Sequence, residues 1–377
     1  MQILLFVFGF LLFIGLILIH EWGHFIAARR NGVAVEEFGL GLPPRAWRKK
    51  LKSGVVISLN WLPLGGFVKL KGENDSDDRP GSFGAASLLA KTKIMLAGVA
   101  ANLLAGLLLL TIVALMGMPK LIDNQFQVAS DAKIVHQKLV VVETNPDSPA
   151  QKAGLAPRDI IEQLSFSGQT YAINSPNDLQ AATKQLAGQT VEIGLKRSGK
   201  TQTKTATLMN EQPYLGIRYE PIEIYRSTWS APIVAVGFTK QLFVLTVQGL
   251  GKALGGLGGY LAGILSGNET SRDKSYLKAT GEIGGPVAIG AILWSGGIFG
   301  LNFVLFIIAI ISLTLALINI LPLPALDGGR LTMTLISRGL LKRPLSKKTE
   351  ERLVGASMAL LLVLFALITL VDVKRFF

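Results

Sequence analysis

Long apolar stretches alternate with charged ones along this chain, and the apolar stretches have the length of membrane spans. Residues 2–19 carry no charge, and a helix over residues 3–28 would cross most of a hydrocarbon core about 30 Å thick. Comparable apolar stretches lie near residues 94–118, 298–321 and 353–371. The pattern predicts an α-helical polytopic membrane protein with about four transmembrane helices.

Residues 226–297 form a further apolar region with a less regular pattern. Lys240 and Gln241 interrupt its first half, and glycines are frequent from 249 to 263. A complete crossing here would put every later segment on the opposite membrane face, away from the inner end of the first span. We therefore expect amphipathic helices that lie on the outer membrane surface.

A strand-like pattern follows the first span. Residues 55–61 and 65–70 are rich in β-branched and aromatic residues and flank a proline and glycine turn at 63–66, which favours a β-hairpin. It is either a small cytoplasmic sheet or a membrane-associated β-hairpin beside the first span, whose free edge could pair with an extended substrate. The acidic segment 74–81 is expected to be a solvated loop.

Residues 119–225 have the mixed pattern of a soluble α/β domain. Strand-like runs at 139–142 and 190–196 enclose a helix that begins near Ser175, where an Asn-Asp pair provides N-cap chemistry. The order of these elements, with the Ser-Pro-Ala to Ala-Gly-Leu run at 148–155, resembles a bacterial PDZ domain. That resemblance implies a peptide ligand bound by strand addition.

The charges indicate which side of the membrane each segment faces. The net charge is +13 and 50% of the residues are hydrophobic, so the basic excess indicates a membrane protein and not a nucleic-acid partner. Residues 29–93 contain twelve Lys and Arg against six Asp and Glu, whereas 119–225 contain eleven of each. Because cytoplasmic loops carry the excess of Lys and Arg, we expect 29–93 inside, and the N-terminus and the PDZ-like domain outside.

The candidate chemistry lies at the inner end of the first span. His20, Glu21 and His24 form an H-E-x-x-H motif. On a helix, positions i and i+4 share a face, so the two imidazoles could bind one Zn²⁺ ion with Glu21 beside them as general base. The motif also occurs by chance in soluble helices, but ionisable side chains in an apolar span are costly and indicate a function. The chain has no cysteine that could serve as a nucleophile instead.

A second candidate element ends the span at 298–321. The sequence from Asn319 to Gly329 reads Asn-Ile-Leu-Pro-Leu-Pro-Ala-Leu-Asp-Gly-Gly, and its two prolines break the helix. Irregular backbone at membrane depth is tolerated where it lines a protein cavity. Asp327 could therefore be the third zinc ligand, with the fourth position open as in catalytic zinc sites, or it could cap the helix after the break.

Together these motifs resemble the site-2 protease family of intramembrane zinc metalloproteases, nearest to the bacterial regulator-of-sigma-E protease branch. The resemblance covers nearly the whole chain, with a single PDZ domain. It includes Gly98 and Asn102 of the second-span motif, which has Val99 where proline is usual. These two residues share a helix face, and we expect both to pack against a neighbouring helix.

The resemblance implies that His20, His24 and Asp327 bind zinc. It also implies that Glu21 is catalytic, and that three further residues help to hold substrate near the metal: Asn319, Pro322 and Pro324.

The expected organisation has four segments. Residues 1–118 form an N-terminal membrane core with the hairpin, 119–225 the PDZ-like extracytoplasmic domain, 226–297 the surface helices and 298–377 a C-terminal membrane core. The expected enzyme resides in the lipid of a bacterial cytoplasmic (inner) membrane, with its active site near the cytoplasmic face. Its expected substrates are single-span membrane proteins, such as anti-sigma factors or remnant signal peptides, cut within or near their transmembrane segment.

Two other functions fit parts of the pattern. A membrane-anchored zincin could act on soluble chains at the cytoplasmic face, although such enzymes usually take their third ligand from a glutamate on a soluble helix. A catalytically silent zinc-binding scaffold or a metal transporter would need no peptidase chemistry. Transport predicts further polar residues along the other spans, and these are almost absent.

Overall fold

A computed structural model describes residues 2–122, 124–197, 200–266 and 286–376. Its helices are α1 (Gln2–Arg30), α2 (Leu88–Met116), α3 (Pro149–Lys152), α4 (Pro176–Gln185), α5 (Ala231–Ser266), α6 (Pro286–Phe299), α7 (Leu301–Asn319), α8 (Asp327–Thr334) and α9 (Lys347–Phe376). Its strands are β1 (Val35–Lys50), β2 (Val56–Leu70), β3 (Met118–Pro119), β4 (Lys133–Thr144), β5 (Ile160–Phe166), β6 (Gln169–Ala172), β7 (Thr190–Arg197), β8 (Lys200–Thr207) and β9 (Ile217–Arg226). A π-helical turn, Leu335–Leu340, continues α8.

Several helices have the length and composition of membrane spans, as expected for a multi-pass membrane protein. Within the described part of the chain, five segments meet this description: Ile3–Arg30, Leu88–Met116, Ala231–Lys252, Leu301–Asn319 and Lys347–Leu370. Four of them overlap the predicted spans, and the remaining one belongs to α5.

The helix α5 differs from the pattern we expected for residues 226–297. Within the described residues this region contains α5, one continuous helix of 36 residues, and most of α6, while residues 267–285 lie outside the described part of the chain. The first 22 residues of α5 are apolar enough to cross a membrane. The position of α5 on the outer membrane surface therefore stays a prediction, since its length and composition fit a crossing equally well.

The strands β1 and β2 form a small sheet in which both strands are bent. Residues 35–40 pair on one side with 66–70 and on the other with 56–59, and residues 45–50 pair with the outer side of 56–60. The two predicted hairpin strands are present, but they do not pair with each other because the arm 35–40 lies between them. Gly39 permits this close approach, since a Cβ there would collide with the Phe67 ring.

A second sheet occupies the predicted extracytoplasmic domain. Its seven strands follow the order β3-β9-β4-β5-β7-β8, with β6 paired to β5, and its core side chains include Leu139, Leu164 and Ile193, each fully buried. The predicted strands at 139–142 and 190–196 are confirmed. The helix α4 is capped by Ser175, whose Oγ accepts from the Asp178 amide at 3.2 Å. Of the expected Asn-Asp pair, Asp178 also contributes, because its carboxylate accepts from the Asn174 amide at 2.9 Å.

The described chain divides into two compact units. One contains the sheet of β3 to β9, and the other consists of Phe10–Leu107, Leu242–Ala291 and Ile308–Phe377. Within this second unit, glycines bring helices close together. A Cβ at Gly23 of α1 would lie 2.5 Å from the Ala97 carbonyl oxygen of α2, and a Cβ at Gly106 of α2 would lie 2.6 Å from Leu313 of α7. All the predicted site residues belong to this unit.

Candidate metal centre

The helix α1 presents two imidazoles to the interior of the second unit. His20 and His24 are 8% and 7% exposed, and their Nε2 atoms lie 3.2 Å apart. The spacing of four residues puts both rings on one helix face, as the sequence predicted. Gly98 of α2 faces the rings, and a Cβ there would collide with both of them. The imidazoles therefore need a bare backbone opposite them.

Asp327 reaches the same point from the other end of the chain. It is the first residue of α8, and its Oδ2 lies 3.1 Å from the Nε2 atoms of both His20 and His24. Gly328 and Gly329 follow it, and a Cβ on either would collide with the carbonyl oxygen of a residue in the preceding turn. The N-cap residue of α8 is Leu326, which makes no side-chain cap hydrogen bond. The Asp327 carboxylate contacts the imidazoles, which is the arrangement expected of a ligand.

The three side chains fit the first coordination shell of a zinc ion. Ligand atoms at about 2.0–2.1 Å from a tetrahedral zinc are separated by about 3.3 Å. Those of His20, His24 and Asp327 are separated by 3.1–3.2 Å and form the one such cluster among the described residues. His24 donates from Nδ1 to the Ile94 carbonyl at 2.8 Å, which leaves its Nε2 lone pair for a metal.

A cavity of about 350 Å³ opens beside this cluster. Glu21 is half-buried in its wall, next to Gly66 of β2, where a Cβ would lie 2.9 Å from the Glu21 Cγ. The arm 66–70 therefore packs directly against the glutamate. The wall includes residues of α1, β2, α2, α7 and the turn before α8: Ile17, Phe67, Val68, Asn102, Leu315, Asn319 and Leu326. Glu21 shares one cavity with the three candidate ligands and with the sheet.

The three predicted substrate-holding residues are not equivalent. Asn319, the last residue of α7, lines the cavity, and its Nδ2 lies 3.5 Å from the His20 Nε2. Pro322 and Pro324 lie in the turn between α7 and α8, outside the described cavity wall, and Pro322 is exposed. These prolines shape the turn, and any effect on substrate would pass through the backbone they shape.

Asn102 of α2 belongs to the site, although we expected it only to pack. It is 1% exposed, lines the cavity, and brings its Nδ2 within 3.4 Å of the His20 Nδ1. The available signal was its spacing from Gly98, because positions i and i+4 share a helix face. No local pattern indicates that this face meets the histidines, since the two helices are joined through the intervening sheet.

Comparisons with known proteins identify the class of protein. A model of peptidase family M50 matches residues 8–364. The chain is 30% identical over 370 residues to a protein of Clostridium perfringens named as a putative zinc metalloprotease, covering 97% of this chain and 98% of that one. Proteins with the same description are 28% identical in Campylobacter jejuni, covering 96% and 90%, and 29% identical in Clostridium acetobutylicum, covering 95% and 94%.

The chain therefore belongs to peptidase family M50, the site-2 protease family. It is a zinc metalloprotease of the site-2 type, and the predicted enzyme class and zinc cofactor are confirmed. A fold with several span-length helices agrees with a membrane location.

Proposed function

We propose that this protein is an intramembrane endopeptidase that cuts single-span membrane proteins within or near their transmembrane segment. The observation that carries the proposal is the position of the cluster. His20 and His24 belong to a span-length apolar helix, and Asp327 follows another one. Buried ionisable groups on such helices are costly and mark function. A soluble substrate would not need a site on these elements.

In this proposal His20, His24 and Asp327 hold the zinc ion. When bound there, zinc would supply Lewis acidity to a peptide carbonyl and to a water molecule. Glu21 accepts the proton from that water and later delivers it to the amine that leaves. Glu21 packs against the sheet at Gly66, where a Cβ would lie 2.9 Å from its Cγ, so the arm 66–70 borders the proton acceptor.

The sheet can align the scissile segment. A helical substrate hides its carbonyls in backbone hydrogen bonds, so it must unwind before it is cut. The arm 66–70 is an edge, because among the described strands only 35–40 pairs with it. An unwound substrate that pairs with this arm would pass beside Glu21, and the Asn319 amide could donate to its backbone. These features support the membrane-associated role of the hairpin over a purely structural one.

The chain-wide features support the regulator-of-sigma-E protease branch and an inner-membrane location. The basic excess in residues 29–93 favours a cytoplasmic position for that segment and an outer position for residues 119–225. A groove of about 240 Å³ lies between α4 and β9, lined by Leu179, Gln180 and Ile217 among others. Its position between a helix and a strand supports a PDZ-like domain that binds peptide ends.

The catalytic proposal is tested with Glu21→Gln. We expect co-expressed, tagged single-span proteins to be cut in their apolar segment by the wild type, and about 10²- to 10⁴-fold more slowly by the variant, because the proton acceptor is lost. The purified variant should keep its zinc. Full activity of Glu21→Gln would exclude the assigned role, and cleavage confined to soluble chains would favour the membrane-anchored zincin.

Topology is tested by cysteine labelling, since the chain has no native cysteine. Impermeant reagents added from outside should label Gln202→Cys and should not label Lys50→Cys or Lys342→Cys in intact cells. The opposite pattern would invert the proposed orientation.

Peptide binding by the groove is tested with Gln180→Trp, which should block binding of carboxyl-terminal peptides to the purified protein. Thr205→Trp, on the far edge of the sheet, is the control and should not block it.

A further inference from the structure

The Asn102 side chain carries an unsatisfied polar atom at the metal centre. Among the described residues, its Oδ1 is buried and has no hydrogen-bond partner, whereas its Nδ2 lies 3.4 Å from the His20 Nδ1. Buried amide oxygens are normally paired. An unpaired one on the wall of a catalytic cavity therefore needs a physical explanation.

The tautomer of His20, meaning the ring nitrogen that carries the proton, supplies that explanation. Its Nε2 faces the His24 Nε2 and the Asp327 carboxylate, so this atom must present a lone pair when a metal is bound. The ring proton of the neutral imidazole then lies on Nδ1. A protonated Nδ1 cannot accept from the amide NH₂ placed opposite it. With the amide in this orientation, two donors would face each other.

A half-turn of the Asn102 amide removes the contact between two donors. The oxygen and nitrogen of an amide are nearly equal in size, and their assignment follows from the hydrogen-bond network. Exchanging them puts Oδ1 opposite Nδ1, where it accepts the ring proton of His20, and moves the NH₂ into the position that the oxygen leaves. Asn319 cannot serve this purpose, because its amide approaches Nε2, the metal-facing atom.

The other histidine already has such a partner. His24 donates from Nδ1 to the Ile94 carbonyl at 2.8 Å, which fixes its tautomer through the backbone of α2. Asn102 lies two turns further along the same helix. The backbone carbonyl of Asn102 accepts from the Ser312 hydroxyl of α7 at 2.8 Å, a contact that does not involve the Asn102 amide.

We propose that Asn102 is a positioning residue that accepts a hydrogen bond from His20 Nδ1–H through Oδ1, fixing the ring in the tautomer and orientation that bind zinc. The inference rests on the proposed ligand role of His20. Each candidate histidine ligand thus has its outer nitrogen bound to α2, one through a backbone carbonyl and the other through a side chain.

The test measures the zinc dissociation constant of the purified full-length chain by competition with a chelator. Asn102→Leu keeps a similar shape but removes the acceptor, and we expect it to weaken zinc binding about 10- to 100-fold. Asn102→Asp restores an acceptor and should bind at least as tightly as the wild type. Ser312→Ala is the matched control, because it changes the same helix contact without touching an imidazole, and it should leave zinc affinity unchanged.

His20→Ala separates this inference from the ligand assignment on which it rests. If His20→Ala loses zinc while Asn102→Leu keeps wild-type affinity, Asn102 has no positioning role and the ligand assignment stands. Equal weakening by Asn102→Leu and Asn102→Asp would also overturn the inference, since only packing would then matter. Wild-type zinc affinity in His20→Ala would overturn both. Zinc affinity that is lowered in Asn102→Leu and retained in Asn102→Asp supports the inference whatever the level of peptidase activity.

Discussion

Asp75 and Asp327 are carboxylates of the same unit that are largely removed from water, yet they face different partners. Asp75, in the segment between β2 and α2, is 3% exposed and contacts the Lys91 ammonium of α2. Its Oδ2 also lies 3.0 Å from the Arg338 Nε in the π-helical turn. Asp327 faces two imidazoles. Among the described residues, neither lysine nor arginine is paired with it.

Asp75, Lys91, Ser337, Arg338 and Glu350 form a cluster, called the Asp75 cluster below, that is complete without an added ion. Ser337 donates to Asp75 at 3.2 Å, and the Asp75 amide donates to Glu350 of α9 at 2.9 Å. Two carboxylates and two cations therefore balance each other. At the candidate metal centre, His24 uses its outer nitrogen toward α2, while the Nε2 atoms of His20 and His24 and the Asp327 carboxylate face one another. We propose that a zinc ion holds these three groups together, whereas the Asp75 cluster has its cations within the chain.

Breaking the Asp75 cluster should have the largest effect on stability. Asp75→Asn leaves the fully buried Lys91 without its main counter-charge, and loss of one partner from a buried pair costs about 3–5 kcal/mol. The free energy of unfolding of the solubilised chain measures this loss. Asp77→Asn is the matched control, because Asp77 pairs with the exposed Arg79, and its effect should be far smaller. Equal effects of the two variants would contradict the comparison.

Asp327→Asn should affect stability only when zinc is present. At a zinc concentration of 100 Kd the wild type should gain about 2.7 kcal/mol over the zinc-free chain, because only the folded state binds the ion. The variant should gain little at that concentration. In the presence of a chelator the two chains should have the same free energy of unfolding, since Asp327 is not the partner of a lysine or an arginine among the described residues. A large loss of stability in zinc-free Asp327→Asn would contradict this prediction, because it would mean that Asp327 stabilises the fold without zinc, as Asp75 does.

The smallest effect is expected at the rim of the Asp75 cluster. The Arg330 Nη2 and the Glu73 Oε2 are 3.8 Å apart and both side chains are about one-third exposed, so the pair should contribute at most about 1 kcal/mol. Glu73 also accepts from the Leu70 amide at 2.9 Å, and a glutamine can keep that bond. Glu73→Gln should therefore unfold nearly as the wild type does. A loss as large as that of Asp75→Asn would show that the rim is also part of the buried network.

The metal centre could be anticipated from the sequence better than the Asp75 cluster could. His20 and His24 are related by helical spacing, and the Pro-x-Pro break drew attention to Asp327. Asp75 lies in the acidic segment 74–81, which we expected to be solvated, and this was wrong for Asp75. Its partners Arg338 and Glu350 are 263 and 275 residues away, and no local pattern connects such positions.

The small sheet shows the same limit at shorter range. Its strand-forming residues and its turn were visible, because alternation and Pro-Gly punctuation are local signals. The insertion of 35–40 between the two predicted strands was not visible, because it depends on how Gly39 packs under Phe67. Asn102 was likewise assigned to packing, since its contact with His20 arises only when α1 and α2 meet.

The central claim is that His20, His24 and Asp327 together hold the catalytic zinc. Zinc K-edge X-ray absorption on the purified wild type and Asp327→Asn tests it most directly. We predict one zinc per wild-type chain, with scattering from two imidazoles and oxygen at about 2.0–2.2 Å, and a sharp fall in bound zinc for the variant. A wild-type spectrum without two imidazoles, or a variant with undiminished zinc and an unchanged spectrum, would contradict it.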